Sequence, residues 1–295
     1  MVVFHKSVLL NEVLINSNLQ SDSASLIFDM NLGEGGHSLA FLERYPNVRV
    51  IGVDADKEII ERANERLEPY KNRFQSQIAW SDEFLSSYGG ENPSVILFDL
   101  GLSMYHYKGE ERGFSFKDKT LDMRFSKDAR LSAKDVVNAY KEEDLAKVLY
   151  EYGDERKSRS IARAIVGARR KKKIESADEL HEIITSCFSE RVKRESKMDV
   201  ATRSFQAIRI EVNDELGRLK RALESAYKCL SDGGRIEVIS FHSLEDRIAK
   251  WYFRSLQSDG KVEIITKKPI IPTEDEINNN FAARSSKLRV VKKER

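Results

Sequence analysis

Apolar, β-branched-rich runs recur along the first hundred residues, at 25–31 (SLIFDMN), 48–56 (VRVIGVDAD), 73–79 (RFQSQIA) and 94–101 (SVILFDLG). Runs of this length and composition predict strands. Between them the apolar spacing changes. Leu39 and Leu42 after the first run, and Ile59, Ile60, Ala63 and Leu67 after the second, each mark one face of a helix. Near-continuous apolar strands alternating with helices predict a parallel sheet covered on both sides, so this part of the chain reads as doubly wound α/β.

The alternation then stops. Residues 105–204 are charged and helix-favouring, with Ser132 and Ser176 as caps, the latter with Glu179 three residues on as a capping box. Strand character returns after the LSDGG turn at 230–234, in RIEVISF, KVEIIT and a final KLRVV. The segment 205–230 (FQAIRIEVNDELGRLKRALESAYKCL) has room for one long helix. The pattern therefore predicts an α/β fold with a seven-stranded, mostly parallel sheet and an all-helical insertion after the fourth strand. The expected divisions are residues 1–104, 105–204 and 205–295.

A chain of 295 residues with 40% hydrophobic and 33% charged residues is an ordinary globular protein with a heavily charged surface, not a disordered one. The longest apolar run, 94–102, already contains Asp99 and is too short to span a membrane. MVVFHKSVLL lacks the apolar core of a signal peptide, which points to a cytoplasmic protein. Cys187 and Cys229 stand apart with no histidine at ligand spacing, so neither a disulfide framework nor a metal site is expected. The net charge of +2 says little, but residues 156–173 (RKSRSIARAIVGARRKKK) hold nine basic residues and no acidic one. On a helix, Arg156, Arg159, Arg163 and Arg170 fall along one stripe, and nine like charges favour a polyanionic partner over a merely solvated face.

In an open α/β sheet the ligand sits beyond the carboxyl ends of the strands, where the winding reverses. There the first strand runs into LGEGGHS, whose Gly33, Gly35 and Gly36 allow a tight turn and close approach of a ligand. A dinucleotide fingerprint needs a third glycine where this chain has Ser38, and Glu34 inside the turn would repel a diphosphate while suiting a cationic ligand. Asp54 ends the second strand, where a carboxylate accepts ribose hydroxyls; the competing reading makes it the cap of the next helix. A ribose and a positive sulfur together describe S-adenosylmethionine. Asp99 ends the fourth strand at the same edge, followed by Gly101, and ISFHSLEDR (239–247) brings His242 there, with Ser243 as cap of the following helix.

HKSVLLNEVL, LGEGGHS, DLGLS, RGFSF, LDMR, ATRSFQAIRIEVNDEL and GGRIEVISFHSLEDR together resemble the bacterial small-subunit ribosomal RNA cytosine N-4 methyltransferase family, the MraW/RsmH group, over nearly the whole chain. The resemblance implies a Rossmann-like class I methyltransferase domain interrupted by a helical one. It also implies S-adenosylmethionine as donor and, as acceptor, the exocyclic amine of a decoding-centre cytosine in 16S rRNA. By position, the cofactor contacts fall on Gly35, Gly36, His37, Asp54, Asp99 and His106, with Gly33 in the same turn and an aromatic contact in AWSDEF, Phe84 or Trp80. His106 stands in MYHYK where the family has a glutamine, and DMN stands where it has Asp-Ala-Thr.

The expected chemistry is in-line attack of nitrogen on the sulfonium methyl. Asp99 accepts the amine's hydrogen bond, and His242 is the second candidate for its proton. Arg203, Gln206, Arg209 and Asn213 are expected to hold the nucleotide, while the basic stripe and the tail ARSSKLRVVKKER bind phosphates around it. The small ribosomal subunit is the expected partner, with the protein a monomer or homodimer and no membrane involved. Two rivals stand beside this reading: a nicotinamide-dependent oxidoreductase of similar fold, and a non-catalytic RNA-binding assembly factor.

Overall fold

The computed structural model describes residues 7–103, 105 and 112–295, so His106 lies outside the described residues. The chain forms two compact units, residues 1–103 with 216–295, and residues 104–215. The first unit opens with α1 (Leu10–Asn16), β1 (Leu26–Asp29), α2 (Gly36–Arg44), β2 (Arg49–Asp54), α3 (Lys57–Leu67), β3 (Phe74–Ile78), α4 (Ser81–Ser87) and β4 (Val95–Asp99). The second unit is helical among the described residues: α5 (Ala133–Ala139), α6 (Glu142–Gly153), α7 (Ser158–Arg169), α8 (Ala177–Ser186), α9 (Glu190–Glu195) and α10 (Thr202–Asn213). The chain returns through α11 (Glu215–Cys229), β5 (Arg235–Ser240), α12 (Ser243–Ser258), β6 (Val262–Ile264), α13 (Glu274–Asn279) and β7 (Lys287–Lys293).

The strands form one seven-stranded sheet in the order β3-β2-β1-β4-β5-β7-β6, with β7 antiparallel to both its neighbours and the other pairings parallel. This is the doubly wound α/β architecture the apolar pattern predicts and the Rossmann-like sheet the resemblance implies. The winding reverses between β1 and β4, and the carboxyl ends of these strands flank the reversal.

Side chains alternate across each strand, so the sheet builds two cores. Ile27, Val50, Val95, Leu97, Ile239 and Leu288 face α1, α2 and α3 through Val13, Phe41, Leu42, Ile60 and Leu67. Phe28, Val53, Ile96, Phe98, Ile236 and Val238 face α4, α11 and α12 through Leu85, Leu219, Leu223, Phe253 and Leu256. The helical unit buries its own core, including Leu145, Leu149, Ile161, Ile165, Phe205 and Ile208.

Three sequence expectations are corrected here. The segment 205–230 is not one helix, because α10 ends at Asn213 and Asp214 turns left-handed (φ 48°, ψ 38°) before α11 begins. Aspartate tolerates that conformation better than most residues. Arg209 holds the break closed with a forked bond to Glu215 (2.8 and 3.0 Å). The division between the units falls at this break, eleven residues beyond the expected 204/205 boundary.

The tail is not a free phosphate-binding arm either. Its residues 287–293 form β7, inside the sheet. Arg289 bonds Asp246 at 2.6 Å, while Lys292 and Lys293 lie 3.5 and 3.6 Å from Glu263 and Asp232. Third, Ser176 accepts from the Glu179 amide, but the Glu179 carboxylate turns to the Glu175 amide, so that capping box does not close. The box at Ser132 closes with Asp135.

One carboxylate breaks the apolar inner face of β5. Glu237 is fully buried, with Oε1 3.0 Å from Ser17 Oγ and Oε2 without a partner among the described residues. Ser17 Oγ also donates to the Val13 carbonyl at 2.8 Å. The Ser17 hydroxyl has one proton for two acceptors, so its hydrogen bond to Glu237 is shared with the Val13 carbonyl and compensates a buried charge only in part. Burial pushes this acid up to about 8, opposed by the Ser17 contact and Arg235.

An acid whose folded-state pKa is raised contributes stability at low pH and loses it as pH climbs from the unfolded value toward 8. Glu237→Gln is therefore expected to melt close to wild type at pH 6 and a few degrees above it at pH 9. Thermal unfolding at both pH values checks this; a variant less stable than wild type at pH 9 would refute the protonated reading.

Candidate active site

Three adjacent parallel strands end in aspartate: β1 in Asp29, β2 in Asp54 and β4 in Asp99. The glycine turn lies beside them. Gly35 caps α2 at φ 75°, and a Cβ there would meet Leu67 Cδ1 at 2.9 Å. A Cβ on Gly36 would fall 2.1 Å from Ser7 Oγ, so a larger residue there would displace that side chain. No side chain caps α2, which leaves its first-turn amides without intrahelical acceptors at the pocket.

Asp54 is fixed by the turn itself: Oδ2 accepts from the Gly33 amide and Oδ1 from the Asp56 amide, both at 3.0 Å. The cap of α3 is Asp56, which accepts from the Glu58 amide. The alternative reading of Asp54 as a helix cap is thereby removed. Asp99 Oδ1 accepts from the Gly101 amide at 3.1 Å, and Oδ2 lies 3.3 Å from His37 Nε2. That separation is within ion-pair range but outside hydrogen-bond geometry, and neither ring nitrogen of the buried His37 has a hydrogen-bond partner among the described residues. Asp29 accepts from Ser38 Oγ at 2.7 Å, while its Oδ1 is also unpartnered. Burial pushes Asp29 up to about 6; Asp99 and Asp54 add to the rise, and His37 and the Ser38 hydroxyl oppose it.

Asn31, Gly33, Gly36, His37, Asp99 and Phe241 line one pocket. Buried polar atoms normally have partners, so Asp29 Oδ1, the Asn31 side-chain oxygen and both His37 nitrogens mark a place where a polar ligand fits. Asp99 lines the pocket together with Glu34 and Arg66, and the carboxylates of Asp29 and Asp54 at the neighbouring strand ends add to a field that favours a cation.

Glu34 does not contribute in the way its position in the turn suggests. It is buried and lies against Arg62, at 2.9 Å from Nε and 2.7 Å from NH2, while Arg66 bonds its backbone carbonyl. Its charge is neutralised from α3, and the preference for a cationic ligand rests on Asp29, Asp54 and Asp99. Phe84 lies outside this pocket's lining: half-buried, it packs on Phe28 (5.5 Å between centroids) and Tyr88 (5.4 Å) and lines a second pocket with Gln77, Ala79 and Glu83. Trp80, the other aromatic in that segment, has the Arg218 guanidinium 4.0 Å over its ring.

His242, and not Ser243, is the N-cap of α12. Its Nδ1 accepts from the Glu245 amide at 3.5 Å, and Glu245 Oε2 accepts in return from the Phe241 and His242 amides at 2.8 and 3.2 Å. Its Nε2 lies 3.0 Å from Glu245 Oε1. In the helical unit, Arg203 is exposed and Gln206 half-buried on α10, each with one 3.3 Å bond to a backbone carbonyl. Arg209 is committed to Glu215. Asn213 is buried, accepting from the Phe125 amide and donating to the Met123 and Arg209 carbonyls. It anchors residues 123–125 inside the unit and has no surface to offer a nucleotide.

Sequence reasoning missed Asp29, Asn31, Phe241, Glu245 and Arg62. Asp29 stands in DMN at the end of an apolar run that masks it; Arg62 gives no signal, since its partner Glu34 lies 28 residues away.

Arg62→Ala leaves Glu34 buried without its counter-charge and is expected to cost about 1–3 kcal/mol of unfolding free energy. Adding Glu34→Gln should restore part of that loss. Denaturant titration of the single and double variants checks the coupling, and an undiminished loss in the double variant would break the assignment.

Residues 2–294 match the MraW methylase family. The chain is 46% identical to the ribosomal RNA small subunit methyltransferase H of Treponema denticola, covering 98% of this chain and 97% of that one. It is 44% identical to the protein of the same name from Borrelia turicatae, over 99% and 98% of the two chains. The protein of that name from Borreliella burgdorferi is 43% identical, over 98% of each. With the glycine turn, the strand-end aspartates and a family match along nearly its full length, the chain belongs to the MraW methylase family.

Proposed function

We propose that this chain is an S-adenosylmethionine-dependent methyltransferase of small-subunit ribosomal RNA, and that its acceptor is the exocyclic 4-amino group of a decoding-centre cytosine. The family and the names of the relatives support the broader statement. The finer one rests on the resemblance and on a pocket that ends in Asp99.

When bound, S-adenosylmethionine supplies a methyl group on a positively charged sulfur. Asp54 would accept the ribose hydroxyls, the Gly33–Gly36 turn would allow the close approach, and the first amides of α2 would hold the amino-acid carboxylate. Asp29, Asp54 and Asp99 supply the negative field that suits the sulfonium. A cytosine 4-amino group is a poor nucleophile because its lone pair is conjugated into the ring, so the protein must position it and take its proton. The observation that carries the reading is the placement of Asp99 at the end of β4. The Gly101 amide holds Oδ1, and Oδ2 stands at the pocket beside His37. That oxygen takes the amine's hydrogen bond and then its proton. His242 acts through the helix start it caps.

The RNA side is supported by α7 and its flanks. Arg156, Arg159, Arg170, Lys171 and Lys173 are exposed, and no carboxylate pairs with them among the described residues, while Arg163 is 3.5 Å from Glu142. Arg169 turns inward to the Val137 and Tyr140 carbonyls and is structural. The target base must leave its stack to reach a pocket, and unpaired cations bind the phosphates that flank it. Arg203 and Gln206 remain the residues for holding the nucleotide.

Mass spectrometry of 16S rRNA from cells with and without this protein tests the whole reading; an unchanged cytosine methylation pattern would overturn it. Asp99→Asn at saturating cofactor is expected to slow single-turnover methylation by on the order of a hundredfold or more. His242→Ala should cost about 1 kcal/mol of stability and leave that rate near wild type at low temperature. Reversing Arg159, Arg163 and Arg170 to glutamate should weaken RNA binding and flatten its salt dependence; identical binding across a salt series would make α7 a merely solvated face.

A further inference from the structure

We propose that the outward stripe of α12 is a single-stranded RNA contact, with Trp251 as a stacking platform for a base and Arg247, Lys250 and Arg254 as phosphate contacts. The proposal rests on the rRNA reading above and extends it to a surface outside the pocket.

The inner face of α12 buries Ala249, Phe253 and Leu256 in the sheet core. On the other side Arg247, Trp251 and Arg254 recur at spacings of four and three, with Lys250 next to the tryptophan, which places all four on one stripe. Trp251 is 58% exposed. Lys250 Nζ lies 5.6 Å and the Arg254 guanidinium carbon 5.3 Å from its ring centroid. Among the described residues no carboxylate pairs with any of the three cations. The two acids of α12 are engaged elsewhere, Glu245 by the Phe241 and His242 amides and Asp246 by Arg289.

Exposure alone does not leave cations unmatched in this chain. Arg191 and Lys261, both at the surface, pair with Glu195 and Asp259. Nor does the patch suit an apolar partner, because Arg247, Lys250, Arg254 and Ser255 surround the indole and the one large apolar neighbour on this side, Ile248, is half-buried against the core. An aromatic face among unpaired cations complements a strand that carries a π-face on each base and a charge on each phosphate. The stripe is also in reach of the chemistry. Phe241 lines the pocket, α12 starts two residues later, and Trp251 lies about 12 Å along the helix from that start.

Trp80 and Trp251 are the two tryptophans of the chain, so intrinsic fluorescence reports on the stripe. A short single-stranded oligoribonucleotide of small-subunit sequence is expected to quench the full-length protein, and Trp251→Phe should remove most of the quench. Trp251→Ala should weaken RNA affinity about tenfold and Arg254→Ala a few-fold with a shallower salt slope, both with unchanged S-adenosylmethionine affinity. Unchanged RNA affinity and quench in these variants would overturn the proposal. So would a drop in sedimenting mass with RNA affinity intact, which would assign the face to self-association. Wild-type methylation of rRNA separates the two readings. RNA binding that depends on Trp251 without methylation sustains the stripe and removes the catalytic assignment; normal methylation by Trp251→Ala with unchanged RNA affinity removes the stripe alone.

Discussion

The first unit depends on a concentration of like charge. Asp29, Asp54 and Asp99 each close one of three adjacent parallel strands, so the reversal of winding between β1 and β4 brings three carboxylates to one edge. Each is offset differently. Two backbone amides hold Asp54, one amide holds Asp99 with His37 3.3 Å away, and the most buried, Asp29, has one hydroxyl and takes up protons more readily instead. The remaining negative field and the orphaned polar atoms around His37 define what the pocket accepts. A cation completes the charge balance, and an anion would add to the repulsion.

Around that edge the structure fixes the parts that must not move. Arg62 and Arg66 hold the glycine turn from α3, through the Glu34 side chain and backbone respectively. Across the pocket, the reciprocal bonds between His242 and Glu245 fix the point where β5 becomes α12, and so the position of Phe241. The second uses His242, a catalytic candidate in the sequence, and in this structure both devices keep the backbone in place, as a site built on rigid elements requires.

Charge pairing also sorts the basic residues. The C-terminal cations sit on an interior strand opposite Asp246, Glu263 and Asp232, which makes them part of the sheet's own balance. Arg159 on α7 and Arg247, Lys250 and Arg254 on α12 have no such counter-charges among the described residues, while Arg163 keeps a 3.5 Å contact to Glu142. Surface ion pairs contribute little stability, so leaving these unmade costs the fold little and keeps the cations available to a polyanion.

The alternation of apolar strands and helices determined the sheet, its seven strands and the helical insertion, because burial on both faces writes itself into local periodicity. Strand-end positions of Asp54 and Asp99 were equally legible, since a strand's end can be read from its own residues. Contacts between distant residues were not. Glu34 read as an intrusive charge until Arg62, 28 residues on, was seen to neutralise it. Phe84 reads as an aromatic beside a strand end, but only the rotation of α4 decides that it packs on Phe28 while lining a second pocket. The break at Asp214 leaves helical spacing intact on both sides and is visible only as a backbone angle. The sequence by itself determined the elements and the chemistry placed at their ends; the tertiary structure alone decided which of those charges are paired, because pairing depends on distances that the order of residues does not contain.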